Sequence, residues 1–139
     1  MRFLYKLLYN IIGKLQLEER KLNIGIDIDG VLTDMEREIT DYATKMCVEE
    51  QIPIKVDSTQ YYESDSFDWN QEQVDKFWNK YLVPYVKEAN SRKYAKEIIQ
   101  ELRKEENKIY IITARDESGM PEEYYGKMQQ LTKEWLNKH

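Results

Sequence analysis

Two aspartates, Asp27 and Asp29, follow a short apolar run and are separated by a single residue. In extended backbone, alternate side chains point to the same side, so we expect the two carboxylates to lie together. Like charges held this close repel each other unless a cation lies between them or one carboxyl group keeps its proton. Gly30 follows at once, and glycine allows a sharp bend and the close approach of a ligand. This spacing is typical of a site that performs chemistry.

The elements that must hold these aspartates are short strands and amphipathic helices. Apolar runs predict buried strands at 24–28 and 109–112, with helical patterns between and after them. This alternation favours an α/β fold with a parallel sheet. Ligands of such sheets bind outside the carboxyl ends of the strands, where Asp27 and Thr113 would meet. We therefore predict a core from residues 22–34 and 91–139, with residues 35–90 as a helical cap above the site.

Local signals predict where the first helices begin. Thr33 followed by Glu36 predicts a capping box, in which the two side chains satisfy backbone N–H groups at the start of a helix. The periodicity extends this helix to about Glu50. Asn70 and Gln73 predict a second capping box in the same way.

Prolines and one serine predict the remaining boundaries. Pro84 should close the helix that Asn70 begins, because a proline ring cannot donate the backbone hydrogen bond. Ser91 is expected to cap the next helix, and Pro121 suits the first position of the last one.

Length and composition bound the class of protein. The chain has 139 residues and a formal net charge of −5, which indicates one globular domain and argues against binding a nucleic acid polymer. A small anionic substrate remains compatible with this charge. The single cysteine, Cys47, cannot form an internal disulfide, so we expect a reducing cytoplasm and a buried, unreactive thiol. His139 is the last residue and is assigned no catalytic role.

The N-terminal segment, residues 1–21, is predicted to form an amphipathic helix. Its first 17 residues are strongly apolar and carry Arg2, Lys6 and Lys14, so the segment is too short and too charged to span a membrane. One interpretation is a basic helix lying on a membrane surface. We favour the other, a helix that packs on the protein's own core or on a second copy.

The run from Asp27 to Asp34 (DIDGVLTD) resembles the first motif of the haloacid dehalogenase (HAD) superfamily. Residues 109–113 resemble its second motif, a hydrophobic strand ending in Thr or Ser. The direct passage into a cap helix and the ending Ile-Thr-Ala-Arg are similar to the 5'(3')-deoxyribonucleotidase-like branch. The resemblance implies a Rossmann-like parallel sheet with an inserted helical cap, and hydrolysis of a phosphate monoester such as a nucleotide or sugar phosphate.

The resemblance also implies a role for each motif residue. Asp27 would attack phosphorus and form an aspartyl-phosphate, while Asp29 would act as general acid and then general base. Asp27 and Asp29 would also hold Mg²⁺, a hard cation that prefers oxygen ligands. The phosphate would be bound by Gly30, Thr113, Ala114 and Arg115.

Several of these residues have simpler interpretations. Thr113 would otherwise be a plain hydroxyl at a strand end. Arg115 would equally suit a surface salt bridge with Asp116 or Glu117. Four aromatic residues of the cap would stack on a base or a sugar, although internal packing is the favoured interpretation: Tyr61, Tyr62, Phe67 and Trp69.

The sequence departs from the family pattern after the second motif. The family uses a lysine near the phosphate and a later acidic pair at the metal, whereas Lys127, Lys133 and Lys138 all lie on the predicted final helix. The leading interpretation stays a phosphate monoester hydrolase, and three explanations fit the departure: a truncated domain that is inactive alone, self-association that covers the open strand edge, or a non-catalytic binding or assembly module on the same fold. Open strand edges would favour a homo-oligomer.

Overall fold

The computed structural model describes residues 21–60 and 62–139. Within these residues, five α-helices accompany a two-stranded parallel sheet, which confirms the predicted mixed α/β class. None of the helices in this part of the chain is long and apolar enough to cross a membrane. The N-terminal helix predicted over residues 1–21 lies outside the described residues except for Lys21. Tyr61, predicted to stack on a base or a sugar, lies outside them as well.

The sheet consists of β1 (Asn23–Ile26) and β2 (Lys108–Ile111). Ile24 pairs with Ile109 and Ile26 with Ile111, and the backbone N–H of Ile112 extends the pairing by donating to the Ile26 carbonyl at 2.9 Å. The prediction that these strands are buried is wrong: Ile24, Ile26 and Ile109 are half-buried, the other strand residues are exposed, and one side of the sheet is the more open. Tyr110 and Ile112 are 51% and 64% exposed, because the described chain lays no helix over that side.

The helices are α1 (Met35–Glu49), α2 (Glu63–Ser66), α3 (Gln71–Glu88), α4 (Ala95–Lys104) and α5 (Met128–Lys138). Helix α1 ends one residue before the predicted limit. At the start of α3, the Asn70 side chain accepts from the Gln73 N–H, and the Gln73 side chain accepts from the Asn70 N–H. This confirms the second capping box, a local arrangement that needs only four residues.

The first predicted capping box is wrong. Asp34 precedes α1, and it caps the helix without a side-chain hydrogen bond. The Thr33 side chain is fully buried and its hydroxyl lies 2.9 Å from the hydroxyl of Tyr85. A partner 52 residues away has therefore replaced the local backbone group that the motif predicted.

The predictions from proline and serine also fail. Helix α3 continues through Pro84 to Glu88, because Val83, Tyr85 and Val86 are buried and packing outweighs the lost hydrogen bond. Ser91 caps no helix: α4 begins at Ala95, after Tyr94. Likewise, Pro121 precedes a short 3₁₀ turn, Glu122–Tyr124, and α5 begins only at Met128.

The main hydrophobic core lies among the helices rather than against the sheet. It joins α1 and α3 to Met120, Met128 and Leu131 near the C-terminus, with Phe77 completely buried at its centre. Cys47 is buried there, as predicted. A smaller cluster of Ile28, Leu32 and Trp135 lies beside the sheet. Helix α5 thus contributes to both clusters and connects the helical layer with the strand ends.

The chain enters and leaves the helical segment at one place. Thr33 and Ser91 form an isolated antiparallel bridge. The Asp34 N–H donates to the Asn90 carbonyl at 3.4 Å, and the Arg92 N–H donates to the Leu32 carbonyl at 2.7 Å. The two crossings lie at the predicted cap boundaries, so residues 35–90 start and finish directly beside the carboxyl end of β1.

Candidate active site

The turn after β1 is organised around the carbonyl of Ile28. This oxygen accepts from the backbone N–H groups of Val31 at 3.3 Å, Leu32 at 2.8 Å and Thr33 at 2.9 Å. Gly30 lies in the middle with φ of +76°, a left-handed conformation that glycine adopts without steric cost. The turn therefore sets the directions of the two aspartates that precede Gly30.

Asp29 lies in a dense set of hydrogen-bond donors. Arg115 binds it in a bidentate manner, with Nε 2.9 Å from Oδ2 and Nη2 2.7 Å from Oδ1, and the Tyr85 hydroxyl donates to Oδ1 at 2.7 Å. The Arg115 side chain is only 4% exposed. The interpretation of Arg115 as a surface salt bridge with Asp116 or Glu117 is therefore wrong.

Proton counting fixes the direction of hydrogen bonding around Tyr85. Its single hydroxyl proton goes to Asp29, since an ionised carboxylate only accepts. The Thr33 hydroxyl has two acceptors within reach of its single proton, the Tyr85 oxygen at 2.9 Å and the Ile28 carbonyl at 3.3 Å, and it accepts from the Gly30 N–H at 3.2 Å. The shorter contact favours donation to Tyr85. Burial raises the pKa of Tyr85 well above its ordinary value, so the phenol remains a donor. A relay from Thr33 through Tyr85 to Asp29 thus connects α3 to the turn.

Asp27 has very different surroundings. Asp27 is exposed, and one of its carboxylate oxygens accepts a hydrogen bond from the backbone N–H of Ile28 at 2.7 Å. That contact also explains why β1 ends at Ile26, since the Ile28 N–H is no longer available to the sheet. Asp27 and Asp29 line the same cleft, but only Asp29 is enclosed by side-chain donors.

The cleft has a volume of about 980 Å³ and lies between the strand ends and the helical segment. Five of the six predicted site residues line it: Asp27, Asp29, Gly30, Ala114 and Arg115. The sixth, Thr113, follows the end of β2, where its hydroxyl accepts the Arg115 N–H at 3.3 Å. Thr113 therefore acts on the loop that carries Arg115 rather than lining the cleft.

One donor of Arg115 is left over. Its Nη1 is buried and has no hydrogen-bond partner among the described residues, while Nε and Nη2 are both used by Asp29. Buried donors without a partner are rare because they lose their hydrogen bonds to water. The guanidinium also packs against the rings of Tyr85 and Trp135, with its central carbon 5.8 and 5.7 Å from their centroids. It is thus a fixed cation with one donor that no acceptor reaches in this conformation.

Two residues at this site were not found from the sequence. Tyr85 follows Pro84 within α3, and nothing in its neighbourhood distinguishes it from an ordinary buried tyrosine. Arg92 donates from Nε and Nη2 to the Gly30 carbonyl at 3.3 and 3.0 Å, which braces the turn from the second chain crossing. Neither contact has a local sequence signal, because each joins segments more than 50 residues apart.

The predicted aromatic stacking residues divide into two groups. Phe67 and Trp69 are buried and stack on each other, with ring centroids 5.0 Å apart. This confirms internal packing for that pair, although Phe67 still borders the cleft. Tyr62 also lines the cleft and is exposed.

The donors for a divalent cation are limited. No group of three or more His, Cys, Asp or Glu residues that could hold a metal ion occurs in the described part of the chain. The Asp29 carboxylate is engaged by three donors, which leaves the Asp27 carboxylate and the Asp29 backbone carbonyl. Mg²⁺ commonly binds proteins through one or two carboxylates together with substrate phosphates and water. The residues therefore fit only an ion whose coordination the phosphate completes.

The cationic residues that line the cleft are both arginines, Arg92 and Arg115, within the ranges that the structure describes. Of the C-terminal lysines, Lys127 donates from Nζ to the Glu123 carbonyl at 2.6 Å and lies beside the 3₁₀ turn. The positive charge nearest to Asp29 is therefore that of Arg115.

No family model matches the chain, and no curated protein or solved structure matches it either.

Proposed function

We propose that this chain is a HAD-type domain that binds a phosphate monoester in the cleft and transfers the phosphoryl group to Asp27. The observation that carries the proposal is the pairing of an exposed carboxylate with a buried guanidinium in one cleft. Asp27 is accessible to a ligand, whereas Arg115 is 4% exposed and keeps one unpartnered donor. A phosphate would offer Asp27 an electrophile, and it would offer Arg115 acceptor oxygens once the guanidinium exchanges a contact with Asp29.

In the proposed reaction, one Asp27 oxygen forms a bond to phosphorus as the bond to the ester oxygen breaks. The leaving oxygen takes a proton from Asp29 and departs as an alcohol. Water then attacks the aspartyl-phosphate, giving a proton to Asp29 and releasing inorganic phosphate. Asp29 therefore has to begin the cycle protonated, with a proton taken up from a phosphate monoanion or from water, and it ends the cycle protonated again.

The contacts of Asp29 set a condition on this role. Its carboxylate accepts from Arg115 and Tyr85, and neither donor leaves room for a proton on the atoms concerned. Asp29 must therefore exchange one of these donors before it can protonate a leaving group. An incoming phosphate is negatively charged, as the Asp29 carboxylate is, so it offers Arg115 an alternative partner. This supports such an exchange.

Arg115 also supplies a charge that the family obtains from a lysine. Its guanidinium is permanently ionised and bidentate, so it can offset the negative charge of a phosphate beside two carboxylates. Mg²⁺, where it binds with the substrate, would add charge neutralisation at Asp27. Both contributions stabilise the negative charge that develops in the transition state. Electrostatic stabilisation of this kind lowers the activation free energy by about 3 kcal/mol for each donor.

The test is phosphate release from a panel of nucleoside, sugar and aryl monophosphates with Mg²⁺. We expect measurable turnover of at least one ester and its loss in Asp27→Asn, which keeps the size of the side chain and removes the nucleophile. Asp41→Asn is the matched control, because Asp41 is an exposed carboxylate on α1 whose ion pair with Arg37 lies outside the cleft.

Binding should be followed separately by ³¹P NMR titration with inorganic phosphate. Turnover of no ester, or equal turnover by the wild type and Asp27→Asn, would contradict the catalytic proposal. Phosphate binding without turnover, lost in Arg115→Ala, would indicate a non-catalytic binding domain on the same cleft.

A second candidate function is assembly. The open side of the sheet exposes Tyr110 and Ile112, and among the described residues no further strand pairs with either edge of the sheet. Exposed edges of this kind commonly pair with another chain. Light scattering of the full chain distinguishes this function: a strict monomer with no concentration dependence would exclude it.

A further inference from the structure

We infer that the phosphate monoester which the cleft selects carries a cationic ammonium group on its alcohol part; this step rests on the proposed function and names its substrate class. Two features of the cleft support it. The lining has an excess of negative charge, and the described part of the wall formed by residues 35–90 contributes no cationic side chain. The phosphate would lie at the strand ends, and its alcohol part would extend along that wall.

The charged side chains that line the cleft are mostly negative. Among the described residues, two guanidiniums line it, those of Arg92 and Arg115, against five carboxylates: Asp27, Asp29, Glu36, Glu63 and Asp116. Both guanidiniums already have acceptors, since Arg115 binds Asp29 and Arg92 donates to the Gly30 carbonyl. A phosphate that enters this cleft is therefore repelled unless a positive charge accompanies it.

Positive and negative side chains come from different parts of the chain. Arg92 and Arg115 lie outside residues 35–90, whereas Glu36 lies in the first turn of α1 and Glu63 begins α2. Neither glutamate has a hydrogen bond or an ion pair with another described residue. Glu36 is exposed and Glu63 is half-buried, so both are accessible to a ligand. The helical wall of the cleft thus offers two carboxylates that a cation could pair with.

Aromatic rings line the same wall. Tyr62 is 62% exposed, Trp78 is half-buried, and the buried Phe67 borders the cleft as well. The position of Trp78 is fixed from two sides: its ring lies 5.0 Å from that of Phe77, and a Cβ on Gly119 would come within 2.8 Å of the Trp78 Cβ. Faces of aromatic rings attract cations within about 6 Å. Carboxylates and aromatic rings together are the groups that bind an ammonium ion.

The cleft is large enough for an ester rather than for phosphate alone. Its volume of about 980 Å³ is at the upper end of the range of pockets that enclose small organic ligands. Met35, Ile39 and Leu82 add apolar surface to the helical wall. This surface suits the methyl and methylene groups that surround the nitrogen of an alkylammonium ion.

Two esters that differ only in charge test the inference on the full chain. Phosphocholine carries a quaternary ammonium group, and 3,3-dimethylbutyl phosphate has the same shape with carbon in place of nitrogen. In a ³¹P NMR titration with Mg²⁺, we expect the wild type to bind phosphocholine at least ~5-fold more tightly, the effect of one charge contact at about 4 Å in water. Added salt should reduce this preference, because salt screens exposed charges. For esters that are hydrolysed, initial rates should give the same preference in kcat/KM.

Glu36→Gln and Glu63→Gln, singly and combined, keep the size of the side chains and remove their charges. The double variant should bind phosphocholine more weakly and the neutral ester more tightly, because the lost carboxylates also repelled the phosphate. Damage to the fold would weaken both esters instead. Glu72→Gln is the matched control, since Glu72 is an exposed glutamate in the first turn of α3 that does not line the cleft. It should leave both affinities unchanged, and circular dichroism checks the fold of each variant.

Equal affinity of the wild type for the two esters, or tighter binding of the neutral one, would overturn the inference. A preference that persists undiminished in the double variant would overturn it as well, since other groups would then recognise the ammonium ion. Titration with inorganic phosphate separates this inference from the proposed function. Phosphate binding without discrimination between the esters would remove only the substrate class, whereas binding of neither phosphate nor either ester would contradict both.

Discussion

Asp27 and Asp29 are two residues apart in the chain, yet the regions around them differ in every respect that matters for chemistry. Asp29 accepts three side-chain hydrogen bonds from Arg115 and Tyr85, at 2.7–2.9 Å. Asp27 is exposed and accepts a backbone N–H from its neighbour. A carboxylate fixed by buried donors contributes to stability, whereas an exposed one is available to a ligand. Asp29 therefore belongs to the part of the site that supports the fold, and Asp27 to the part that is open to a ligand.

The largest expected effect is that of Arg115→Ala on the free energy of unfolding. Removal of one member of a buried ion pair commonly costs 3–5 kcal/mol. Because Asp29 is 21% exposed and keeps its bond from Tyr85, we expect a loss of about 2–3 kcal/mol in urea denaturation. Arg37→Ala is the matched control, since Arg37 is an exposed arginine in a loose pair with Asp41 and should change stability by less than ~0.5 kcal/mol. Similar losses of stability in Arg115→Ala and Arg37→Ala would show that the ion pair with Asp29 supports the fold no more than an exposed pair does.

Tyr85→Phe should have an intermediate effect. It removes one hydrogen bond to Asp29 and one to Thr33 but leaves the ring in place, so we expect a loss of ~1 kcal/mol near pH 7. Tyr125→Phe, at a tyrosine that is exposed and outside the cleft, is the corresponding control. An unchanged midpoint of unfolding would show that the relay from α3 does not support the turn.

The same variant has a distinct pH dependence. Burial raises the pKa of Tyr85 in the folded state, so above pH ~10 the unfolded chain releases a proton that the folded chain retains. The contribution of Tyr85 is thus complete below that pH and is lost as the pH rises, by up to ~1.4 kcal/mol per pH unit. The wild type should therefore lose stability faster than Tyr85→Phe between pH 9.5 and 11. Parallel curves would contradict the buried phenol; Tyr42 and Tyr81, whose pKa values burial also raises, are common to both proteins and cancel.

The smallest expected effect on stability is that of Asp27→Asn. The amide oxygen can still accept from the Ile28 N–H and the residue is exposed, so the free energy of unfolding should change by less than ~0.5 kcal/mol. Thermal unfolding followed by circular dichroism measures this directly. A large loss would mean that Asp27, like Asp29, supports the fold, and the functional division between the two carboxylates would fail.

Local sequence signals predicted those features that depend on a few neighbouring residues. The capping box of Asn70 and Gln73 formed as predicted, since all its hydrogen bonds lie within four residues. The parallel sheet and the periodicity of α1 were also predicted, because an apolar face must be buried whatever it packs against. Residue types and spacing likewise brought Asp27 and Asp29 to one cleft.

The failures involve competition from distant residues. Thr33 has the sequence of a helix cap, but the Tyr85 hydroxyl and the turn at Gly30 take its side chain. Pro84 has the sequence of a helix end, but burial of its neighbours outweighs one lost hydrogen bond. The bidentate pair of Arg115 with Asp29 spans 86 residues, so no window of sequence could have contained it.

The bridge between Thr33 and Ser91 has a consequence for the history and the engineering of this fold. An insertion whose ends meet can be added to or removed from a parent chain with little cost of loop closure. Here, however, Met128 and Leu131 of α5 pack into the same core as α1 and α3. Excision of residues 35–90 would join the backbone easily and yet strip α5 of its apolar partners. The helical segment is therefore connected like a portable module but packed as an inseparable half of the domain.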